Sequence, residues 1–307
     1  MTAWFKGLKT RTKLLLIAGI FLAITVFVGI AFPSAGRNND FKPQNEFKLD
    51  AWIPIKIGPL DLSINKAVLY LVLAAALTTG TMLYIARRMN PAHPNRMQTA
   101  VETAYTFIRD QIAGPSLDTR MAQKWFAFIG TLFLFIWFSN LLGYIPLPTN
   151  SEETINIFGV EVPAFGIYAA TANLSAPLAL TLLVWVTYQV EGIRAKGFMG
   201  YVRGWIPAGT PGGLKPLLFV IEVISQFVRI ISLSVRLFAN ILAGHLLILF
   251  MGGGLVVLLG LAAIGIVTLP LAVIFFLFEV VLIATLQAFI FATLTAIYLG
   301  ESVAESH

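Results

Sequence analysis

The sequence predicts an all-α integral membrane protein with about six membrane helices, the last two long, tilted and antiparallel. Three observations carry this. Hydrophobic residues make up 58% of the 307 and charged residues 12%, about half the charged share of a soluble domain. Four apolar runs and one much longer apolar region each reach the roughly 20 residues that cross a bilayer. The basic residues gather in alternate connecting segments, as they do when cytoplasmic loops retain lysine and arginine.

The elements follow in chain order. Leu14–Phe32 is the first span. Its apolar run exceeds the 7–15 residues typical of a signal-peptide core, so residues 1–32 read as a membrane anchor. The small residues Pro33-Ser34-Ala35-Gly36 keep a cleaved signal as the alternative. Residues 33–66 form an external loop, which fits the charge rule poorly because it holds five basic residues beside four acids. The main membrane domain, 67–300, opens with the span Ala67–Ala86. Residues 87–124 hold six basic residues and 1–13 hold four, placing both on the cytoplasmic side. Within 97–112, Met97, Val101, Ala104, Ile108 and Ile112 share a helical face, the pattern of a connector lying on the membrane surface or against a partner helix.

Trp125–Ile145 and Ile167–Val190 are the next spans. Between them, 146–166 carries no basic residue but has Glu152, Glu153 and Glu161, and so lies outside. Residues 191–215 return four basic residues to the cytoplasm. The long apolar region runs from Pro216 to Gly300, and 301–307 is a cytoplasmic tail. Both termini are then cytoplasmic if residues 1–32 are kept.

Composition also excludes functions. The chain has no cysteine, so it offers no disulfide, thiol nucleophile or thiolate metal site. It has no P-loop, no dinucleotide fingerprint and no His-rich metal spacing. No cofactor or metal is expected. The net charge of +6 is accounted for by cytoplasmic loops and does not call for nucleic acid.

The chemistry concentrates in 216–250. Glu222, Ser225, Arg229, Ser232, Arg236 and Asn240 follow one another at spacings of 3, 4, 3, 4 and 4, one continuous polar stripe on a helix. A charge in the bilayer core costs about 2.5–3.5 kcal/mol on the most lenient scale. The stripe must therefore face protein or water. A simple Glu222–Arg229 ion pair is the structural alternative for those two residues. Arg236 is fourteen residues from Glu222, about 21 Å along a helix, so its carboxylate must come from Glu279 or another chain. Glu279 and Gln287 share a broad face of the last stretch; for Gln287, a packing or backbone-satisfying role is the alternative. Gly252-Gly253-Gly254 is too short and apolar for a phosphate cradle and reads as a flexible or close-packed stretch.

Three blocks carry a resemblance: Arg236-Leu237-Phe238-Ala239-Asn240 with Ala243-Gly244-His245, Leu286-Gln287-Ala288-Phe289-Ile290-Phe291 with Tyr298-Leu299, and Asn140-Leu141-Leu142-Gly143-Tyr144-Ile145-Pro146. Together they resemble subunit a of the F-type rotary ATP synthases over roughly residues 50–300. The resemblance implies a stator channel in the inner (plasma) membrane, without ATP chemistry of its own. Its implied partners are a c-subunit ring, peripheral-stalk b-type subunits, lipid and protons. Arg236 matches the essential arginine facing the ring carboxylate. Asn240, His245, Glu279 and Gln287 match polar positions of the proton path, and Glu222 a carboxylate near the cytoplasmic exit. Many bacterial members have Gly at position 239, Glu at 245 and His at 279. Here the last two types are exchanged, as in mitochondrial members, and the N-terminal span is additional. A sodium-translocating version is one alternative; an ion-coupled secondary transporter is another, against which the absence of an internal repeat speaks.

The register of the last two helices is also readable. If Arg236 faces Gln287 and His245 faces Glu279, the facing numbers add to 523 and 524, one register with a turn near 261–262. Arms of about 38–46 residues would measure roughly 57–69 Å, far beyond a hydrocarbon core about 30 Å thick, hence the expected tilt. The competing layout turns at Gly252–Gly254.

Overall fold

The computed structural model describes residues 47–304, apart from 58–59, 62, 89–95, 149–153, 158–159, 164, 207–208 and 260–263, together with Gly19, Ala23, Val26, Phe27 and Ile30. Those five are helical and exposed; the rest of the expected first span, Leu14–Phe32, lies outside the described residues. Among the described residues, five helices are long and apolar enough to cross a membrane. The chain divides into two compact units. One comprises 46–243 with 280–307, the other 244–279 with the N-terminal 45 residues.

In the larger unit, Asn65 begins the first helix, α1 (Lys66–Arg88), its side chain accepting from the Val68 amide at 3.2 Å. Ahead of it, β1 (Lys56–Ile57) and β2 (Leu60–Asp61) form a small hairpin in the expected external loop. The amphipathic connector is helical: α2 (Arg96–Phe107) passes into a π-helical turn, Ile108–Ala113. Ile108 and Ile112 are buried there with Ile129 and Leu132, so their shared face packs on protein.

Helix α3 (Thr119–Leu142) starts where Asp118 accepts from the Met121 amide at 2.7 Å, an N-cap. The segment that follows, expected to be external, folds as two antiparallel pairs. In one, β3 (Leu147–Pro148) meets β6 (Phe165–Gly166); in the other, β4 (Thr154–Ile157) meets β5 (Val160–Pro163). Helix α4 (Ser175–Lys196) begins eight residues later than the apolar run at Ile167. Residues 170–172 make a 3-10 turn, and Asn173 accepts from the Ser175 amide at 2.9 Å; this local side-chain cap outweighs hydropathy at the boundary. At its other end Arg194 and Lys196 sit in the last turn, favourably placed at the negative end of the helix dipole. Gly197, at φ 72°, then turns the chain into the short α5 (Phe198–Arg203).

The two long apolar runs are Gly212–Val257, 46 residues, and Gly265–Val303, 39 residues. The first holds α6 (Lys215–Leu249), a π turn at Phe250–Gly254, and α7 (Leu255–Leu259). The glycines thus continue the helix, which removes the competing layout with a turn there. The second holds α8 (Gly265–Phe278), a π turn at Glu279–Ile283, and α9 (Ala284–Val303). Ala284, Ala288, Ala292, Ala296 and Gly300 recur every four residues on α9; the four alanines are fully buried. Such a stripe lets neighbouring helices approach closely without relying on hydrophobicity. At Gly300 a Cβ would overlap the Ser116 carbonyl. The core of this unit joins Ile129, Phe133 and Ile136 of α3, Val184 of α4, Leu233, Leu237 and Ile241 of α6, and Phe291 of α9.

In the smaller unit, the C-terminal end of the first run returns against the start of the second. A Cβ at Gly265 would touch Val256, and one at Gly244 would overlap the Glu279 carboxyl. Facing numbers of 256 with 265 and 244 with 279 mark an antiparallel arrangement with the expected register. The expected turn at 261–262 lies outside the described residues, after α7 ends at Leu259 and before α8 begins at Gly265.

Candidate functional site: polar clusters along two long helices

Helix α6 has two faces. Leu233, Leu237 and Ile241 point into the core, with Leu237 only 1% exposed. Phe227 and Ile231, each 61% exposed, lie on the opposite side with Val228 and Val235. Ser232, Arg236, Ala239 and Asn240 are on that exposed side too. The upper half of the stripe thus turns away from this chain's own core. Arg236 makes no hydrogen bond or ion pair among the described residues. A permanently charged fork on an apolar helix surface needs water or a polar partner beside it.

The lower half is organised differently from the simple ion pair weighed above. Arg229 pairs with Glu301 at 3.0 Å and lies over the Tyr298 ring, 4.8 Å from its centroid. Glu222 instead accepts a hydrogen bond from Gln226 Nε2 at 2.8 Å. Gln226 Oε1 in turn accepts from the Tyr188 hydroxyl at 2.8 Å and from Gln189 Nε2 at 3.1 Å. Glu301 lies just beyond the apolar run that ends at Gly300, so hydropathy does not mark it. Gln226 lies one residue off the charged stripe, but its spacing of four from Glu222 could have exposed it.

In the smaller unit, His245 is 3% and Glu279 is 8% exposed. The Glu279 carboxyl rests against the Gly244 backbone, one residue from His245. A side chain at 244 would displace the carboxyl from this place. The π turn beginning at Glu279 is a distortion often found at functional positions. In the larger unit, Gln287 is buried on α9. Nearby, Asn140 donates to the Ala284 carbonyl at 3.3 Å and accepts from the Thr171 hydroxyl at 2.9 Å. Trp137 Nε1 donates to Thr285 Oγ1 at 3.1 Å. A further buried acid, Glu191, pairs with Lys124 between α3 and α4; nothing in the sequence pattern pointed to it.

The chain has no native cysteine, so cysteine pairs test the register directly. Pairs at 236/287 and 245/279 are expected to form disulfides under mild oxidation, and a pair at 236/269 is not. Failure of the first two with success of the third would refute the register.

Related sequences span the region that holds these polar clusters. A family model described as "ATP synthase A chain" matches residues 68–300. A protein named ATP synthase subunit a from Rhizobium rhizogenes is 37% identical over 264 residues, covering 85% of this chain and 96% of its own. One of the same name from a Chelativorans species is 35% identical over 268 residues, covering 86% and 98%. Another from Rubrobacter xylanophilus is 35% identical over 253 residues, covering 81% and 88%. With its membrane-length helices and a match running across them, the chain belongs to the ATP synthase A chain family.

Proposed function

We propose that this chain is the ion-translocating stator of a rotary ATP synthase in a bacterial plasma membrane, carrying protons between two offset half-channels. The observation that carries the reading is Arg236, exposed on an apolar helix face without a partner among the described residues. A carboxyl on a ring of c subunits, arriving beside that guanidinium, is driven to its ionised form and gives up its proton. The same fixed charge repels protons from a direct path between the half-channels. Protons must then travel with the ring. His245 and Glu279 serve the external half-channel, with Asn240 and Gln287 nearer the arginine; Glu222 serves the cytoplasmic one. Moving one charge through 100 mV supplies about 2.3 kcal/mol, so several protons are spent per ATP. With residues 1–32 retained, both termini lie in the cytoplasm, and the peripheral stalk engages the static side of the chain.

The test is ATP-driven acidification of inside-out vesicles holding the whole complex. Acidification is expected to proceed equally with and without sodium. A strict sodium requirement would replace the proton with sodium in this reading.

A further inference from the structure

We infer that Gln226 is a positioning residue for the cytoplasmic half-channel: clamped by Tyr188 and Gln189, it aims and holds the Glu222 carboxyl. This rests on the proposed role of Glu222 in the proton path. The geometry is directional. A glutamine amide has one acceptor oxygen and one donor nitrogen. Here the oxygen accepts from two donors, the Tyr188 hydroxyl at 2.8 Å and Gln189 Nε2 at 3.1 Å. That fixes which way the amide lies, so the nitrogen must point at Glu222, which it reaches at 2.8 Å. Tyr188, Gln189 and Gln226 are all buried, whereas Glu222 is only half-buried. A rigid interior clamp therefore presents a carboxyl that still meets solvent.

The charge arrangement supports the same role. Arg229 lies on Glu222's stripe, yet its guanidinium is held by Glu301 at 3.0 Å and by the Tyr298 ring. Glu222 is thus held by a neutral amide rather than locked to a cation. A group that loads and unloads a proton in each cycle needs its orientation fixed without its charge state being fixed. Tyr188 links the two clusters, its ring centroid 5.7 Å from that of Tyr298.

The test uses the whole complex in inside-out vesicles, with ATP-driven acidification measured per assembled complex. Gln226→Met keeps the side-chain volume but removes the donor. It is expected to slow acidification about tenfold, the change that loss of one hydrogen bond to a charged group brings. Tyr188→Phe frees the amide to rotate and should slow it in the same direction by a smaller factor. This second variant serves if Gln226→Met fails to assemble. The deciding comparison is made in a Glu222→Gln background. There the Gln226→Met change, or Tyr188→Phe, should have no further effect, because a residue acting only through Glu222 is not additive with its loss. An equal slowing in both backgrounds would mean a packing role and overturn the inference, as would normal acidification in both single variants. If Glu222→Gln itself acidifies normally, the role of Glu222 fails first and the inference falls with it.

Discussion

Replacing Arg236 with alanine is expected to abolish ATP synthesis and ATP-driven pumping while the complex still assembles. The assembly half follows from burial. Arg236 stands on the exposed face of α6, and the neighbours that hold the helix in place, Leu233, Leu237 and Ile241, are untouched by its removal. The functional half follows from charge. Among the described residues nothing else on that face supplies a cation: Arg229, seven residues before Arg236, is committed to Glu301. Without Arg236, a ring carboxyl passing the site has no incentive to ionise, and protons can leak between the half-channels. Arg236→Lys should also fail. An ammonium is a compact point charge that can lose its proton in an apolar setting, whereas a guanidinium keeps both its charge and its planar fork. Membranes from each variant, assayed for synthesis and for the amount of assembled complex, decide the matter. Wild-type synthesis in either would refute the mechanism.

Much of this could be read before any coordinates, and the reasons are local. Hydropathy over about 20 residues gave the spans, because a bilayer fixes both length and composition. At the His245–Glu279 end the antiparallel register was legible, and the contact of Gly244 with the Glu279 carboxyl falls on it; the Arg236–Gln287 pairing is left to the cysteine test. What stayed hidden depended on partners distant in sequence. Periodicity put Glu222, Arg229 and Arg236 on one stripe, but it cannot say which neighbour covers each part. Gln226, at the stripe's edge, turns inward to α4, while Arg236 turns outward. Likewise, the start of α4 moved from Ile167 to Ser175 because a 3-10 turn and the Asn173 side chain claim residues that are apolar enough to span. Hydropathy measures transfer to lipid and is blind to such caps.

Exchanging the two external groups, His245→Glu with Glu279→His, is expected to recover much of the proton flux that either alanine substitution removes. His245 and Glu279 are both buried, on helices of one compact unit. The Glu279 carboxyl lies at Gly244, next in sequence to the histidine. In the proposed external half-channel, neighbouring titratable groups of this kind take up and release protons as a unit, which makes the pair the unit to test. Histidine suits the task because its ordinary titration lies near neutral pH, where water can load it. His245→Ala and Glu279→Ala should each reduce ATP-driven acidification at least tenfold, the low side of what a positioned acid–base group contributes. Gly244→Ala should reduce it comparably without altering either titratable group, since its methyl would take the space of the carboxyl. A hydrogen bond that merely ties two helices together predicts otherwise: it would lower the amount of assembled complex and leave flux per complex intact. The exchange is the sharper arm, because it keeps both chemical groups and changes only which helix bears each. If the double variant assembles normally yet pumps no better than the worse single variant, the two residues do not act as a pair, and the external half-channel must load its protons elsewhere.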